Sequence, residues 1–133
     1  MEKIRIYADT NILIDFFSGR MNDGMAARIM QLGRTPYYEI CTSVLSAVNT
    51  IYCRKYFSDT FKPEHIGKVT TLLSIDGSDW EKALKNEMID FEDCLQVACA
   101  IRHGCFAIVT RDHHFEKCPV AVFTPEGLLE TLT

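Results

Sequence analysis

Apolar residues recur along this chain with two periods, and the switches between them predict strands separated by helices. IRIYA at residues 4–8 alternates and stops at Asp9, which indicates a first strand. Further strands are predicted at YYEICT (37–42), LLSID (72–76), CFAIVT (105–110) and AVF near residue 121. CFAIVT is apolar throughout, which is typical of a parallel strand that is covered on both faces.

Helical spacing of apolar residues predicts the segments between the strands. The predicted helices are NILIDFF (11–17), residues 24–33 closing on Gly33, residues 43–57, a helix beginning near Pro63, SDWEKALKN (78–86), residues 90–104 and residues 124–132. Ser78 and Glu81 stand at capping-box spacing. The helix over 90–104 is apolar almost all round beyond its first turn, so we expect it to be buried.

The order of elements predicts an α/β fold with a mostly parallel sheet sandwiched between helices. Strands alternate with helices, and no hairpin dipeptide joins two apolar runs. The 133 residues show no linker or repeat and suit a single domain over 1–133. Ligands of such sheets bind beyond the carboxyl ends of the strands, so acids placed just after strands are the first candidates for chemistry.

Composition narrows the classes of function. The net charge of −4 argues against a broad basic surface for nucleic acid, although an active site of carboxylates lowers the net charge by itself. The N-terminal segment lacks a signal-peptide pattern, and no apolar run approaches the roughly 18 residues of a membrane span, so we expect a cytoplasmic protein. The six cysteines lack zinc-site spacing and are expected to be buried, reduced thiols.

Four aspartates can reach one rim of the predicted sheet. Asp9 follows the first strand, Asp112 follows AIVT after Arg111, and Asp90 and Asp93 open the buried helix. Each can be explained singly by helix capping or by the helix dipole. Together they repel one another unless a cation offsets their charge, and an all-oxygen set suits Mg²⁺ or Mn²⁺.

Other candidate chemistry is weaker. His113 and His114 follow Asp112 and could contact phosphate or metal, but exposed loop histidines are the more common explanation of such a pair. A phosphatase that uses Asp9 as its nucleophile is disfavoured because Asn11 stands where such enzymes need a second Asp. A phosphate-cradling glycine loop and a dinucleotide fingerprint are both absent from the sequence.

Four segments together resemble the PIN-domain family, particularly the bacterial VapC-like toxins. They are YADTNILIDFF, TSVLSAVNTIY, DFEDCLQVACAIRHG and AIVTRDHHF, in the order in which the family has them. The resemblance implies a three-layer α/β/α sandwich with a parallel sheet and metal-dependent cleavage of RNA. It also implies a homodimer that pairs with a small antitoxin protein.

The resemblance also assigns residues by position. Asp9, Asp93 and Asp112 match the family's catalytic acids, and together with Asp90 they are the expected ligands of Mg²⁺ or Mn²⁺. The residues expected beside these acids, orienting them or contacting substrate, are Thr10, Asn11, Asn49, Thr110 and Arg111.

Two departures from the family pattern bear on activity. Asn49 stands where members usually carry Glu, and no nearby acid in that helix replaces it; His114 stands where many relatives have Asp. We expect the Asn49 side chain to face the acidic rim, with weakened metal binding that Asp90 offsets in part. The alternative is a degenerate PIN domain that binds RNA or a protein partner without cleavage.

Overall fold

The computed structural model describes residues 2–87, 90–112, 115 and 118–132. Its strands form one fully parallel sheet in the order β3-β2-β1-β4-β5. The strands are β1 (Ile4–Ala8), β2 (Tyr38–Ser43), β3 (Thr71–Leu73), β4 (Ala107–Val109) and β5 (Ala121–Phe123). The chain builds the sheet outward from β1 in one direction and then returns to its other side, so the order reverses between β1 and β4.

Helices lie in the connections from β1 to β2, from β2 to β3 and from β3 to β4, as is usual between parallel strands. They are α1 (Thr10–Ser18), α2 (Met25–Leu32), α3 (Val44–Tyr52), α4 (Glu64–Val69), α5 (Gly77–Ala83), α6 (Phe91–Arg102) and α7 (Pro125–Leu132), with a single 3₁₀ turn at Arg54–Tyr56. None of the helices in the described ranges is long and apolar enough to cross a membrane.

Two hydrophobic cores lie on opposite faces of the sheet because successive strand residues point to opposite sides. Tyr7 and Ile108 face a core shared with α5 and α6. Ile6 and Val109, one residue away along the same strands, face a core shared with α1, α2 and α7. The predicted three-layer α/β/α sandwich is therefore confirmed.

The cysteines are distributed unevenly between these cores. All six are free thiols, as predicted, but Cys53 and Cys118 are only partly buried. The core between the sheet and α5/α6 contains Cys41, Cys94, Cys99 and Cys105, and Cys118 packs against it. The core formed by α1, α2 and α7 contains no cysteine among the described residues.

The helix predicted over 43–57 is shorter in the structure. It ends at Tyr52, and the 3₁₀ turn follows before the backbone becomes extended at Phe57. Phe57 leaves the helical path to pack edge-on against Phe61 and close to Phe17, with ring centroids 4.8 and 5.9 Å away. Burial of these three rings against one another outweighs helical propensity in this segment.

The capping box predicted from Ser78 and Glu81 is wrong. The side chain of Asp76 accepts from the backbone N–H groups of Ser78 and Asp79, and the Asp79 carboxylate accepts in return from the Asp76 N–H. An aspartate therefore caps the helix two residues before the predicted position. The strand predicted to reach residue 76 ends at Leu73, because Asp76 must leave the sheet to form this cap.

An ion pair anchors the end of α6 to α5. The Asp79 side chain is fully buried, and its two oxygens accept from Nε and Nη2 of Arg102, each at 3.0 Å. Arg102 Nη2 also donates to the carbonyl oxygen of Ser74 at 2.6 Å. This contact fixes the far end of the helix whose first turn carries Asp90 and Asp93.

We expect Arg102→Leu to lower the free energy of unfolding, because it leaves the buried Asp79 carboxylate without the guanidinium that pairs with it. Urea unfolding followed by circular dichroism measures the loss. The exposed Arg34→Leu serves as a charge-matched control and should stay close to wild type. If Arg102→Leu loses no more stability than the control, the anchoring role is contradicted. Adding Asp79→Asn to Arg102→Leu should recover part of the lost free energy of unfolding.

Candidate active site

The carboxyl ends of β1 and β4 lie side by side where the order of the sheet reverses. The Asp9 N–H donates to the carbonyl oxygen of Val109, so the residues that follow the two strands are held together. Side chains leaving the sheet at such a reversal face a crevice between helices. Asp9 follows β1 here, and Thr110, Arg111 and Asp112 follow β4.

Asp9 is the most tightly held of the acids. It caps α1, with Oδ1 accepting from the Thr10 N–H at 2.7 Å. Its Oδ2 accepts from Thr110 Oγ1 at 2.7 Å and from Asn11 Nδ2 at 3.2 Å. Burial raises the pKa of Asp9, the hydrogen bonds from Thr110 and Thr10 oppose that rise, and the charge of Asp112 adds to it.

Thr110 organises the loop after β4. Its hydroxyl donates to Asp9 and accepts from Asn11 Nδ2 and from the Asp112 N–H, both at 3.0 Å. Asn11 Oδ1 accepts in turn from the Arg111 N–H at 3.1 Å. Thr110 and Asn11 thus make the kind of contact expected of residues that orient the acids.

The first turn of α6 brings two further acids to the same place. Asp90 caps the helix by accepting from the Asp93 N–H at 3.2 Å, and Gln96 Nε2 lies 3.5 Å from Asp93 Oδ1. The pKa of Asp93 is raised to about 7. Burial is the largest cause, and the charges of Asp90, Asp9 and Asp112 add to it. Like charges therefore accumulate around the first turn of α6.

These elements enclose an open cavity of about 270 Å³. All four predicted acids line it, as do the predicted neighbours Thr10, Asn11 and Asn49. Thr110 supports the cavity through its bond to Asp9. The full lining is Asp9, Thr10, Asn11, Ile14, Asn49, Asp90, Glu92, Asp93, Gln96 and Asp112.

Arg111 does not line this cavity. Its Nε and Nη2 donate to the carboxylate of Asp15 on α1 at 2.6 and 2.9 Å. Asp15 is buried and also accepts from Arg20 at 2.6 Å. The guanidinium of Arg111 therefore neutralises a buried carboxylate behind the site, although a substrate contact was among its expected roles.

Two polar residues of the cavity, Gln96 and Glu92, are not among the predicted site residues. Gln96 is buried, and its position one turn after Asp93 on an otherwise apolar helix was the available signal. Glu92 resembles an ordinary solvated charge in the sequence, yet it accepts a hydrogen bond from Nδ2 of Asn49 on α3. Asn49 faces the acidic rim as expected. His113 and His114 lie outside the described residues.

The chemistry of the cavity suits a hard divalent cation. Its charged groups are all carboxylates, and the buried hydroxyl Oγ1 of Thr10 has no hydrogen-bond partner in the described part of the chain. In that same part of the chain, no three His, Cys, Asp or Glu side chains are arranged to hold an ion as they stand. Binding of a cation by three or more of these side chains therefore requires some of the carboxylates to turn toward a common point.

Comparison with known proteins identifies the family. The family model that matches is the PIN domain, over residues 5–114. The chain belongs to the PIN domain family. No curated protein sequence matches the chain.

Solved structures share the fold of this PIN domain. A toxin–antitoxin complex from Klebsiella pneumoniae has 24% identity and a TM-score of 0.71, covering 90% of this chain and 97% of that one. VapBC2 from Rickettsia felis, bound to a DNA fragment from its promoter, has 12% identity and a TM-score of 0.68 over 91% and 98%. The Mycobacterium tuberculosis toxin VapC20, which cleaves the sarcin–ricin loop, has 16% identity and a TM-score of 0.62 over 87% and 96%.

The raised pKa of Asp93 predicts how stability varies with pH in metal-free protein. The pKa of Asp93 is about 7 in the folded protein and about 4 in an unfolded chain. The folded state therefore binds more protons between those two pH values. The melting temperature in EDTA should therefore rise as the pH is lowered from 8 to 5.

Asp93→Asn removes the titrating group and should flatten this dependence. Asp9, whose pKa is also raised, contributes in the same direction and remains in the variant. Circular-dichroism melting curves across the pH range provide the measurement. Equal slopes for wild type and Asp93→Asn are the result that contradicts the assignment.

Proposed function

We propose that this PIN domain is a metal-dependent endoribonuclease that hydrolyses RNA phosphodiester bonds, and that it is the toxin of a type II toxin–antitoxin pair. One observation carries the proposal: Asp9, Asp90, Asp93 and Asp112 share one open cavity where the order of the sheet reverses. Carboxylates brought together in this way repel one another, and a bound cation lowers that repulsion.

The residues of the cavity would have different roles in such a site. Asp9, Asp93 and Asp112, with Asp90, would hold Mg²⁺ or Mn²⁺. A bound divalent ion supplies positive charge for the phosphate and activates water as the nucleophile. Thr110 and Asn11 fix the Asp9 carboxylate through hydrogen bonds, which limits its rotation. On α6, Gln96 Nε2 lies 3.5 Å from Asp93 Oδ1 and would orient that carboxylate in a similar way.

The structural relatives support the choice of substrate and partner. Toxin–antitoxin complexes and a toxin that cleaves the sarcin–ricin loop share this fold. We extend an RNA substrate and a small antitoxin partner to this chain as part of the proposal. The net charge of −4 leaves phosphate recognition to local contacts around the cavity. A cytoplasmic location accords with an RNA substrate and with six free thiols.

The alternative function is a PIN domain that binds RNA or protein without cleaving. Two observations favour it: an amide at Asn49 where a carboxylate is usual in the family, and carboxylates that do not yet converge on one point in the described chain. A binding module has no need of a cation. Calorimetric titration with Mn²⁺ separates the two functions, because only the nuclease depends on metal binding.

We expect Asp9→Asn to reduce Mn²⁺-dependent cleavage of a structured RNA by more than about 100-fold, since groups that only orient ligands are already worth about 10- to 100-fold. Purified protein is incubated with RNA in Mn²⁺ and in EDTA, and the products are resolved by electrophoresis. Asp59→Asn, at an exposed position, is the matched control and should cleave like wild type. Equal cleavage by folded Asp9→Asn protein and by wild type refutes the site assignment.

We also propose a homodimer formed through α3. Val44, Val48 and Tyr52 lie on one side of this helix and are 49%, 42% and 78% exposed. A continuous apolar stripe of this kind is typical of a protein–protein contact.

Light scattering at micromolar concentration should give about 30 kDa, twice the 15.2 kDa of one chain. Val48→Asp should shift the mass to that of one chain, because it places a charge within the apolar stripe. Leu84→Asp, at an exposed apolar position on the end of α5, should leave the dimer intact. A wild-type mass of 15 kDa rules out this assembly.

A further inference from the structure

Glu92 occupies an unusual position for an exposed glutamate. It lies in the first turn of α6 and lines the same cavity as Asp9 and Asp93. A glutamate that served only the helix dipole could point along the outer surface of α6.

A specific contact holds the Glu92 side chain. Nδ2 of Asn49, on α3, donates to Oε1 of Glu92, and both residues line the cavity. Ordering a long exposed side chain costs conformational entropy, which a hydrogen bond to a partly buried amide offsets. The bond occupies one carboxylate oxygen, and the described part of the chain contains no hydrogen bond to the other, Oε2.

The pairing also explains why residue 49 is an amide. A carboxylate at position 49 would contact that of Glu92, and two like charges at hydrogen-bonding distance repel each other. An amide opposite a carboxylate keeps the link between α3 and α6 and leaves a single negative charge at that point. The pair therefore has room for one acid, which here comes from α6.

We propose that Glu92 is a further ligand for the divalent cation and that Asn49 is its positioning residue. This inference rests on the proposed nuclease function. It changes the expectation for Asn49: the site does not lack a carboxylate on that side, because Glu92 supplies one from the neighbouring helix. Replacing Asn49 with Glu then adds a repelling charge to an occupied position.

The test is a double-variant cycle read by Mn²⁺ affinity. Wild type, Glu92→Gln, Asn49→Glu and the exchange variant Asn49→Glu/Glu92→Gln are titrated with Mn²⁺ in a calorimeter. Melting curves establish that each protein is folded. Glu81→Gln on α5, which removes the same charge away from the cavity, is the control, and Asp9→Asn reports on the proposed site itself.

We expect Glu92→Gln to raise the Kd for Mn²⁺ about tenfold or more, and Glu81→Gln to leave it unchanged. The exchange variant should return to within about threefold of wild type, because it presents one carboxylate and one amide at the same point. A Glu92 that only links α3 to α6 predicts instead that Glu92→Gln lowers the melting temperature and leaves the Kd for Mn²⁺ unchanged.

Three results overturn the inference, and the third also overturns the proposed function. If Asp9→Asn abolishes Mn²⁺ binding while Glu92→Gln matches wild type, or if the exchange variant binds no better than Glu92→Gln, then Glu92 is not a ligand and the proposed nuclease stands. If wild-type protein binds no Mn²⁺, both the inference and the proposed function fail.

Discussion

The hydroxyl of Tyr7 is the contact on which the geometry of the site depends. Tyr7 lies on β1 with no exposed surface, and its Oη is 2.8 Å from Ser43 Oγ, 3.0 Å from Ser46 Oγ and 3.1 Å from Gln96 Oε1. These partners belong to the end of β2, to α3 and to α6. Burial raises the pKa of Tyr7, so the phenol stays neutral, and a neutral buried hydroxyl is stable only while it has hydrogen-bond partners. The elements that carry Asp9, Asn49 and Asp93 are thereby held in one arrangement.

Local sequence patterns predicted the architecture and the position of the acids. Strand alternation and the apolar character of CFAIVT fix which residues face each core, and the ends of parallel strands share a rim by geometry. Asp9 and Asp112 follow strands, and Asp90 and Asp93 begin a helix, so all four could be placed without knowing the packing. The contribution of Glu92 could not, because it depends on where α3 and α6 meet. The ion pair of Arg111 could not be predicted for the same reason, because its partner Asp15 is 96 positions away in the chain.

The acidic rim shows a conflict between stability and chemistry. Elsewhere in the described chain, buried charge is neutralised: Asp79 pairs with Arg102, and Asp15 pairs with Arg20 and Arg111. At the cavity, carboxylates line one space, and the guanidinium of Arg111, which precedes Asp112 in the chain, is bound to Asp15 instead. A fold that pairs Asp15 and Asp79 with arginine but gathers carboxylates at the cavity keeps an electrostatic position for a ligand that brings positive charge.

Because the cysteines are unevenly distributed, thiol reagents can report on the packing of one face of the sandwich but not of the other. Thiols on the α5/α6 side are shielded while that layer stays packed, and the opposite layer has none among its described core residues. Cys53 and Cys118 are both partly exposed, so these two thiols react first and can be blocked or replaced. The rate at which the remaining thiols are alkylated then measures how often the layer that contains Asp93 opens. No label has to be introduced for this measurement. The same asymmetry makes that layer the one through which oxidants would inactivate the protein, since a modified buried thiol cannot repack.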